Sequence, residues 1–343
     1  MRVLYLPSSR NGLGPVDRRR FVAFTKANKK IQLTYDPKES FDLVFCSGSG
    51  DISLALKLKR KGFPLIYDYA NHYLVEADIV KNFLRPAYFF VKNKHKFSFN
   101  SYTKLLKSIL TLADIVICSS KDQELYIRSE LNIHRCFVLT DFFEIDFPSL
   151  FKNNTQITDK SFNRLLWEGQ SENLQNFKSV NDKRFFKQKF SLVTDEKYKV
   201  KGINRSSINY CKNLFCEFNL IKWSKENLLI EAMKCDLGII PINMDIPIYA
   251  SKPENKAVLM FLLGLPVIAT PTSAYKVLFE QAGITEFLVK NSSNWMAHID
   301  SFRSMSKSAQ NELSNHLRAY ALENYSTAKQ CQKWNLLFER PID

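Results

Sequence analysis

The chain has 343 residues, more than one hydrophobic core normally holds, so two domains are expected. Its 45% hydrophobic content excludes a disordered chain, and the lack of any apolar run of about 18 residues excludes a transmembrane helix. Lys plus Arg number 49 against 34 Asp plus Glu, and the resulting net charge of +15 favours anionic partners without choosing among nucleic acid, acidic lipid and anionic glycan.

Arg2 to Pro7 is apolar but too short for a signal-peptide core, and reads as a first buried strand. The following loop, Ser8 to Pro15, carries Gly12 and Gly14, which let a ligand approach the backbone. Gly-Leu-Gly alone is not a dinucleotide fingerprint. Asp17 to Lys29 fits a helix with Phe21, Val22, Phe24 and Thr25 on one side. Phe41 to Cys46 is a second strand. Ser53 to Lys61 is a helix with Leu54, Leu56 and Leu58 inward and a basic outer face. The strand Pro64 to Asp68 delivers Asp68, Asn71 and His72 at its carboxyl end, where open α/β sheets place their ligands. Asp68 is there either for polar work or as a turn residue, and His72 is either a site residue or a surface histidine.

Asp78 to Lys107 mixes aromatics (Phe83, Tyr88, Phe89, Phe90, Phe97, Phe99 and Tyr102) with basic residues. One reading is an amphipathic patch facing a membrane or an acceptor. The preferred one is two helices whose aromatics pack on the sheet. Leu105 to Leu112 continues as a helix, Ala113 to Ser120 as a strand, Lys121 to Glu130 as a helix and Cys136 to Leu139 as a strand. Alternating strands and helices imply a parallel sheet with right-handed crossovers. Ile145 to Asn163 is polar and reads as a linker. The seven cysteines are irregularly spaced without a Cys-x-x-Cys, as expected of reduced thiols rather than a zinc site.

The second half restarts with the strand Arg164 to Trp167 and the loop Glu168-Gly169-Gln170. Phe190 to Thr194 and Cys216 to Ile221 are strands; Lys222, Trp223 and Ser224 follow, with Ser224 as N-cap of a helix over Glu226 to Lys234. Leu237 to Ile240 is a strand ending at Pro241, and Met244 to Lys252 a loop. The most informative stretch is Ser251 to Tyr275. Asn255 and Lys256 lie in or just before the first turn of a helix whose residues Ala257 to Leu263 are apolar on nearly every face. Gly264 is its stop, and Pro266 to Ala269 is a core strand. A helix start beside a lysine is a ready anion site, with phosphate the first candidate; the plainer alternative is an ordinary αβ unit with a solvated Lys256. Beyond it come a helix over Tyr275 to Ala282, a short strand over Phe287 to Val289, and helices near Ser293 to Ser304, Ala309 to Asn324 and Thr327 to Phe338.

The stretch resembles the donor-site signature of GT-B-fold glycosyltransferases related to family 4. These carry an Asn-Lys or Asn-Arg pair opening a helix, then a Gly-x-Pro-Val-hydrophobic-Ala strand. The Trp167-Glu168-Gly169 loop with Asn173, and the order from Lys222-Trp223-Ser224 to Gly238-Ile239-Ile240-Pro241, match as well. The resemblance implies an α/β GT-B fold: two Rossmann-like, doubly wound parallel-sheet domains facing a central cleft. Residues 1–150 would form the acceptor-side domain, 160–325 the donor domain, and 326–343 a helix crossing back to the first. It implies a nucleotide-diphosphate sugar as donor substrate, with no metal and no cofactor. Gly12, Gly14, Gly169, Thr194, Trp223, Lys252, Asn255 and Lys256 would bind that donor. Lys256 would stabilise the leaving diphosphate. Asp68 or His72 would act as base if configuration inverts; if it is retained, no strong base is needed. Leu259 stands where many members have a glutamate that holds ribose hydroxyls. The implied function is sugar transfer to a glycan or lipid-linked acceptor in surface polysaccharide or lipopolysaccharide-type synthesis. It would take place in the cytoplasm or peripherally at an anionic inner membrane face, with no specific nucleic acid. The alternatives are a sugar-nucleotide epimerase of GT-B fold and a non-catalytic binding protein.

Overall fold

The computed structural model describes residues 1–75, 79–93, 95, 100–143, 163–200 and 203–339. Except for Asn163, the linker expected at 145–163 lies outside the described residues, as do Asp78, Lys94, Lys96, Phe97 and Phe99 of the aromatic-basic stretch. Two compact units make up the chain: Met1–Glu144, Ser251–Pro253 and Ser326–Asp343 form the first, and Ile145–Ala250 and Glu254–Tyr325 the second.

The first unit runs β1 (Arg2–Leu6), α1 (Pro15–Arg18), α2 (Phe21–Ala27), β2 (Gln32–Thr34), β3 (Leu43–Ser47), α3 (Ile52–Lys59), β4 (Leu65–Tyr69), α4 (Ile79–Asn93), α5 (Tyr102–Leu112), β5 (Ile115–Cys118), α6 (Lys121–Leu131) and β6 (Cys136–Val138). Its six strands are all parallel, in the order β2-β1-β3-β4-β5-β6. The second unit runs β7 (Arg164–Glu168), β8 (Lys189–Thr194), β9 (Lys197–Val200), β10 (Ile203–Ser206), α7 (Ser207–Lys212), β11 (Glu217–Lys222), α8 (Lys225–Met233), β12 (Leu237–Ile240), α9 (Pro247–Ala250), α10 (Asn255–Leu262), β13 (Val267–Ala269), α11 (Ser273–Gln281), α12 (Trp295–Ser304) and α13 (Lys307–Tyr325). Its five-stranded parallel sheet has the order β11-β8-β7-β12-β13. The chain ends with α14 (Thr327–Phe338), which belongs to the first unit.

Sheets with helices on both faces need strands that are apolar on both faces, and the sequence supplies them. In the first unit, alternate strand residues face two cores. Leu4, Val44, Leu65, Tyr67 and Val116 meet residues of α3, α5 and α6. Val3, Phe45, Ile66 and Ile117 meet Phe21 and Phe24 of α2 and Trp334 of α14. The Trp334 ring lies 5.4 Å from Phe24 and 6.0 Å from Phe21, which fixes α14 on that face. Helix starts are set by side-chain caps: Asp51, Ser101, Ser120, Ser224, Thr272 and Ser326 each accept a first-turn backbone N–H.

Several expectations need correcting. The helix expected over Asp17 to Lys29 is broken at Arg19 and Arg20, because the Arg20 side chain turns inward to an ion pair rather than outward to water. Met244 to Lys252 is not all loop, since Pro247–Ala250 is helical. Phe287 to Val289 makes only a 3-10 turn over Thr285–Phe287 and a single bridge from Leu288 to Ala269. The edge strand β2 and the antiparallel β9–β10 hairpin have no counterpart in the sequence reading, because three residues and a lysine-rich run give too little pattern. Cys216 is exposed, unlike the five buried thiols.

Candidate functional site

In the second sheet the strand order reverses between β7 and β12, and ligands of open α/β sheets collect beyond the carboxyl ends at such a switch point. β7 is buried from Leu165 to Glu168, which is 6% exposed. Gly169 follows in a backbone conformation with φ +157°. Its carbonyl accepts from Thr194 Oγ1 at 2.6 Å, and its N–H donates to the Val193 carbonyl at 3.2 Å, so β8 holds the turn. The Trp223 backbone N–H donates to the Thr194 carbonyl at 3.0 Å, and its indole N–H to Glu168 Oε1 at 3.0 Å. Trp223 is thereby pinned between the ends of β7 and β8.

Lys256 comes to the same place from α10. Its Nζ donates to the Glu168 carbonyl at 2.7 Å and lies 4.8 Å from the Trp167 ring centroid, a cation–π contact. A Cβ on residue 169 would stand 2.2 Å from that Nζ, so the lysine passes over the glycine where any side chain would block it. The position of α10 is fixed by burial of Ala257 through Leu262. Its C-terminus closes as a Schellman motif: Leu265 N–H donates to the Met260 carbonyl at 2.9 Å, and Gly264, at φ +70°, to the Phe261 carbonyl at 2.8 Å. At the other end no side chain caps the helix. Glu254 in the N-cap position accepts instead from the Tyr325 hydroxyl at 3.3 Å. Asn255 Oδ1 is buried without a hydrogen-bond partner.

Gly169, Thr194, Trp223, Asn255 and Lys256 therefore meet at one end of one sheet. Thr194 is fully buried and its hydroxyl is committed to the turn, so it positions Gly169 rather than facing a ligand. Glu168, which the sequence reading passed over as a loop residue, joins Trp223 to Lys256. The signal for it was a carboxylate between a buried tryptophan and a glycine at a strand end.

Gly12, Gly14, Asp68, His72 and Lys252 belong to the first unit. Gly12 has φ +66°, a conformation that favours glycine. The loop around it is shaped by a residue the sequence reading missed. Asp17, fully buried, accepts from the Tyr5 hydroxyl at 2.6 Å, the Ser8 N–H at 2.7 Å, and the Ser9 hydroxyl and N–H at 2.6 and 3.0 Å. The Gly14 N–H donates to the Ser9 hydroxyl at 2.8 Å, and a Cβ there would crowd Ser9 at 3.0 Å. Lys252 is half-buried, next to Ser251, whose carbonyl accepts from Ser120 Oγ at 3.2 Å.

Asp68 is committed to an ion pair. It is fully buried, and its two oxygens accept three hydrogen bonds from the Arg20 guanidinium at 2.8–3.0 Å. Arg20 also reaches Asp141 at 3.0 Å and the Leu139 carbonyl at 2.8 Å. The carboxylate is the partner of a buried ion pair. His72 is likewise no surface histidine: it is 4% exposed. Its Nδ1 lies 2.9 Å from the Tyr69 hydroxyl, which itself accepts the Leu74 N–H at 3.0 Å. The Tyr69 hydroxyl and Nδ1 share one hydrogen bond, so one ring nitrogen of His72 is committed to Tyr69. Burial pushes the imidazole down to about 4, so at neutral pH the ring is uncharged.

No family model matches the chain, and no curated protein does. Solved structures do match. A mutant of TarM from S. aureus, in complex with Fondaparinux, alpha-GlcNAc-glycerol and UDP, is 15% identical with a TM-score of 0.57, over 87% of this chain and 55% of TarM. HepE from Anabaena, in complex with UDP and glucose, is 14% identical with a TM-score of 0.62, over 98% of this chain and 99% of HepE. Sucrose-phosphate synthase from Thermosynechococcus elongatus is 16% identical with a TM-score of 0.58, over 92% of this chain and 76% of its own. The fold is GT-B. This chain spans about half of TarM and nearly all of HepE. Within the GT-B fold, the Lys256 cluster is at the switch point of the second sheet, and the Asp17 loop follows β1 beside the switch between β1 and β3 of the first.

Proposed function

We propose that the chain is a glycosyltransferase that takes a nucleotide-diphosphate sugar as donor, with Lys256 and the start of α10 receiving the diphosphate. The observation that carries this reading is the convergence of Lys256, Gly169 and Trp223 at the end of β7. A cation and a helix start without a side-chain cap meet there over a glycine that leaves room for the lysine. The UDP held by TarM and HepE, which share the fold, supports a uridine nucleotide as the first donor to test.

In the reaction, the bond between the anomeric carbon and the diphosphate oxygen breaks as the bond to the acceptor oxygen forms. Charge develops on the departing diphosphate. The Lys256 ammonium and the first N–H groups of α10 stabilise that charge, so the reading needs no metal and no cofactor. Asp68 is held by Arg20 and one ring nitrogen of His72 by Tyr69, and in this reading the diphosphate itself accepts the hydroxyl proton. A transfer that retains configuration needs no further base. The acceptor in this reading is a glycan or lipid-linked glycan of surface polysaccharide synthesis, made on the cytoplasmic side where nucleotide sugars are found. Leu259 is buried in α10 and offers no carboxylate for the ribose, so the diphosphate contacts carry more of the donor's binding.

The test is sugar transfer, or donor hydrolysis when no acceptor is added, by the wild type and Lys256→Ala. The reading expects nucleoside diphosphate release that falls about 10²-fold or more in the variant, with the fold retained by circular dichroism. Equal rates in the two proteins overturn the diphosphate assignment. Epimerised donor without release of nucleotide points to the epimerase instead.

A further inference from the structure

We propose that helix α4 is an in-plane anchor that lays the first unit on an anionic lipid bilayer. This does not depend on the glycosyltransferase reading. A helix on a globular domain normally turns its apolar stripe inward; α4 does the reverse. Its inward stripe is residues 82, 85, 86 and 89. Asn82 Oδ1 accepts from the Thr103 N–H at 2.7 Å, and the Arg85 guanidinium lies 4.3 Å from the Tyr73 ring and 5.2 Å from the Tyr102 ring. Pro86 is buried, and the Phe89 ring stands 5.5 Å from Tyr102. These contacts fix the rotation of the helix about its axis.

The opposite stripe follows the same period: Val80, Phe83, Leu84, Ala87, Tyr88 and Val91 are all exposed, Phe83 at 64% and Val91 at 78%. Large apolar side chains gathered on one outer helix face mark an interaction surface. Charge selects the occupant. From residue 79 to residue 113 the sequence holds seven lysines and arginines and no aspartate or glutamate, and Lys104 and Lys107 are exposed on the adjoining α5. An apolar helix face bordered by cations fits the boundary between acyl chains and anionic headgroups. A second copy of the chain would set two basic segments against each other, which the charge disfavours. No helix among the described residues is long and apolar enough to cross a membrane, so the attachment is to one surface.

The test is flotation of the full chain with vesicles of phosphatidylcholine alone, or with about 30% phosphatidylglycerol, at low and high salt. The wild type should float with the anionic vesicles and not with the neutral ones, and added salt should weaken the binding. Phe83→Ser with Leu84→Ser should lower the partition coefficient by at least about tenfold, and Lys104→Gln with Lys107→Gln by roughly tenfold to thirtyfold. Both pairs are exposed, so circular dichroism melting should match the wild type. In a Phe83→Trp variant, brominated lipid should quench the new indole. Failure to bind anionic vesicles, or binding that the Phe83/Leu84 pair does not change, overturns the anchor. So does a wild type that self-associates without lipid through a face that Phe83→Ser with Leu84→Ser disrupts, which assigns the stripe to a second copy.

Discussion

The Glu168 carbonyl takes one of the three N–H donors of Lys256, and the Trp167 ring lies against the same ammonium. Gly169→Ala tests that arrangement more finely than removal of the lysine. Its Cβ would stand 2.2 Å from the Lys256 Nζ and 3.3 Å from the buried Trp167 ring, in a backbone conformation that favours glycine, so stability should fall by roughly 1–3 kcal/mol while Lys256 is displaced. A loss of nucleotide affinity well beyond that of folding, read by calorimetry and urea unfolding on the same protein, is the expected result. Arg20 tests a different claim. Arg20→Met leaves Asp68 buried without its counter-charge and should cost about 3–5 kcal/mol in urea unfolding. Arg20→Met with Asp68→Leu should recover much of it, since no lone charge remains. A catalytic Asp68 would instead show as activity lost in the double variant although the fold recovers. His72 makes a pH prediction. Its pKa is lowered from 6.5 to about 4 in the folded chain, so between those values the unfolded state binds the proton and the folded state does not. The contribution of His72 is complete above pH 6.5 and is lost as the pH falls towards 4, and melting curves of His72→Gln should be flatter than the wild type's across that window.

At the scale of elements, α10 was legible almost to the residue. Seven consecutive apolar residues, a glycine stop and a following Pro-Val-Ile-Ala leave little but a buried helix and a core strand. Phe261→Ala at a fully buried position should cost about 3–5 kcal/mol in urea unfolding. The strands of both sheets, apart from the edge strand β2, were legible for the same reason. Two things were not. The break between α1 and α2 depends on Asp68 and Asp141, which are 48 and 121 residues from Arg20, and no local pattern carries such a pairing. The rotation of α4 was also hidden. Its apolar period was visible, but which stripe turns inward is decided by Thr103, Tyr73 and Tyr102 on other elements, so packing on the sheet was the natural expectation. At the site, Lys256 and Gly169 could be read from motif and glycine. Thr194 could be read only as polar, since its commitment to the Gly169 carbonyl is a tertiary fact.

At the scale of the whole molecule, both sheets are parallel and both carry a switch in strand order, and the second has the cation at its switch. If that switch receives a nucleotide, the chain gains stability by mass action, about 2.7 kcal/mol at a ligand concentration one hundred times Kd. The most direct measurement is calorimetric titration of UDP, with GDP and ADP beside it, into the wild type and Lys256→Ala. Saturable binding of one nucleotide by the wild type, weakened at least about tenfold in the variant, is the predicted result. A wild type that binds none of the three, or a variant that binds as tightly, contradicts it.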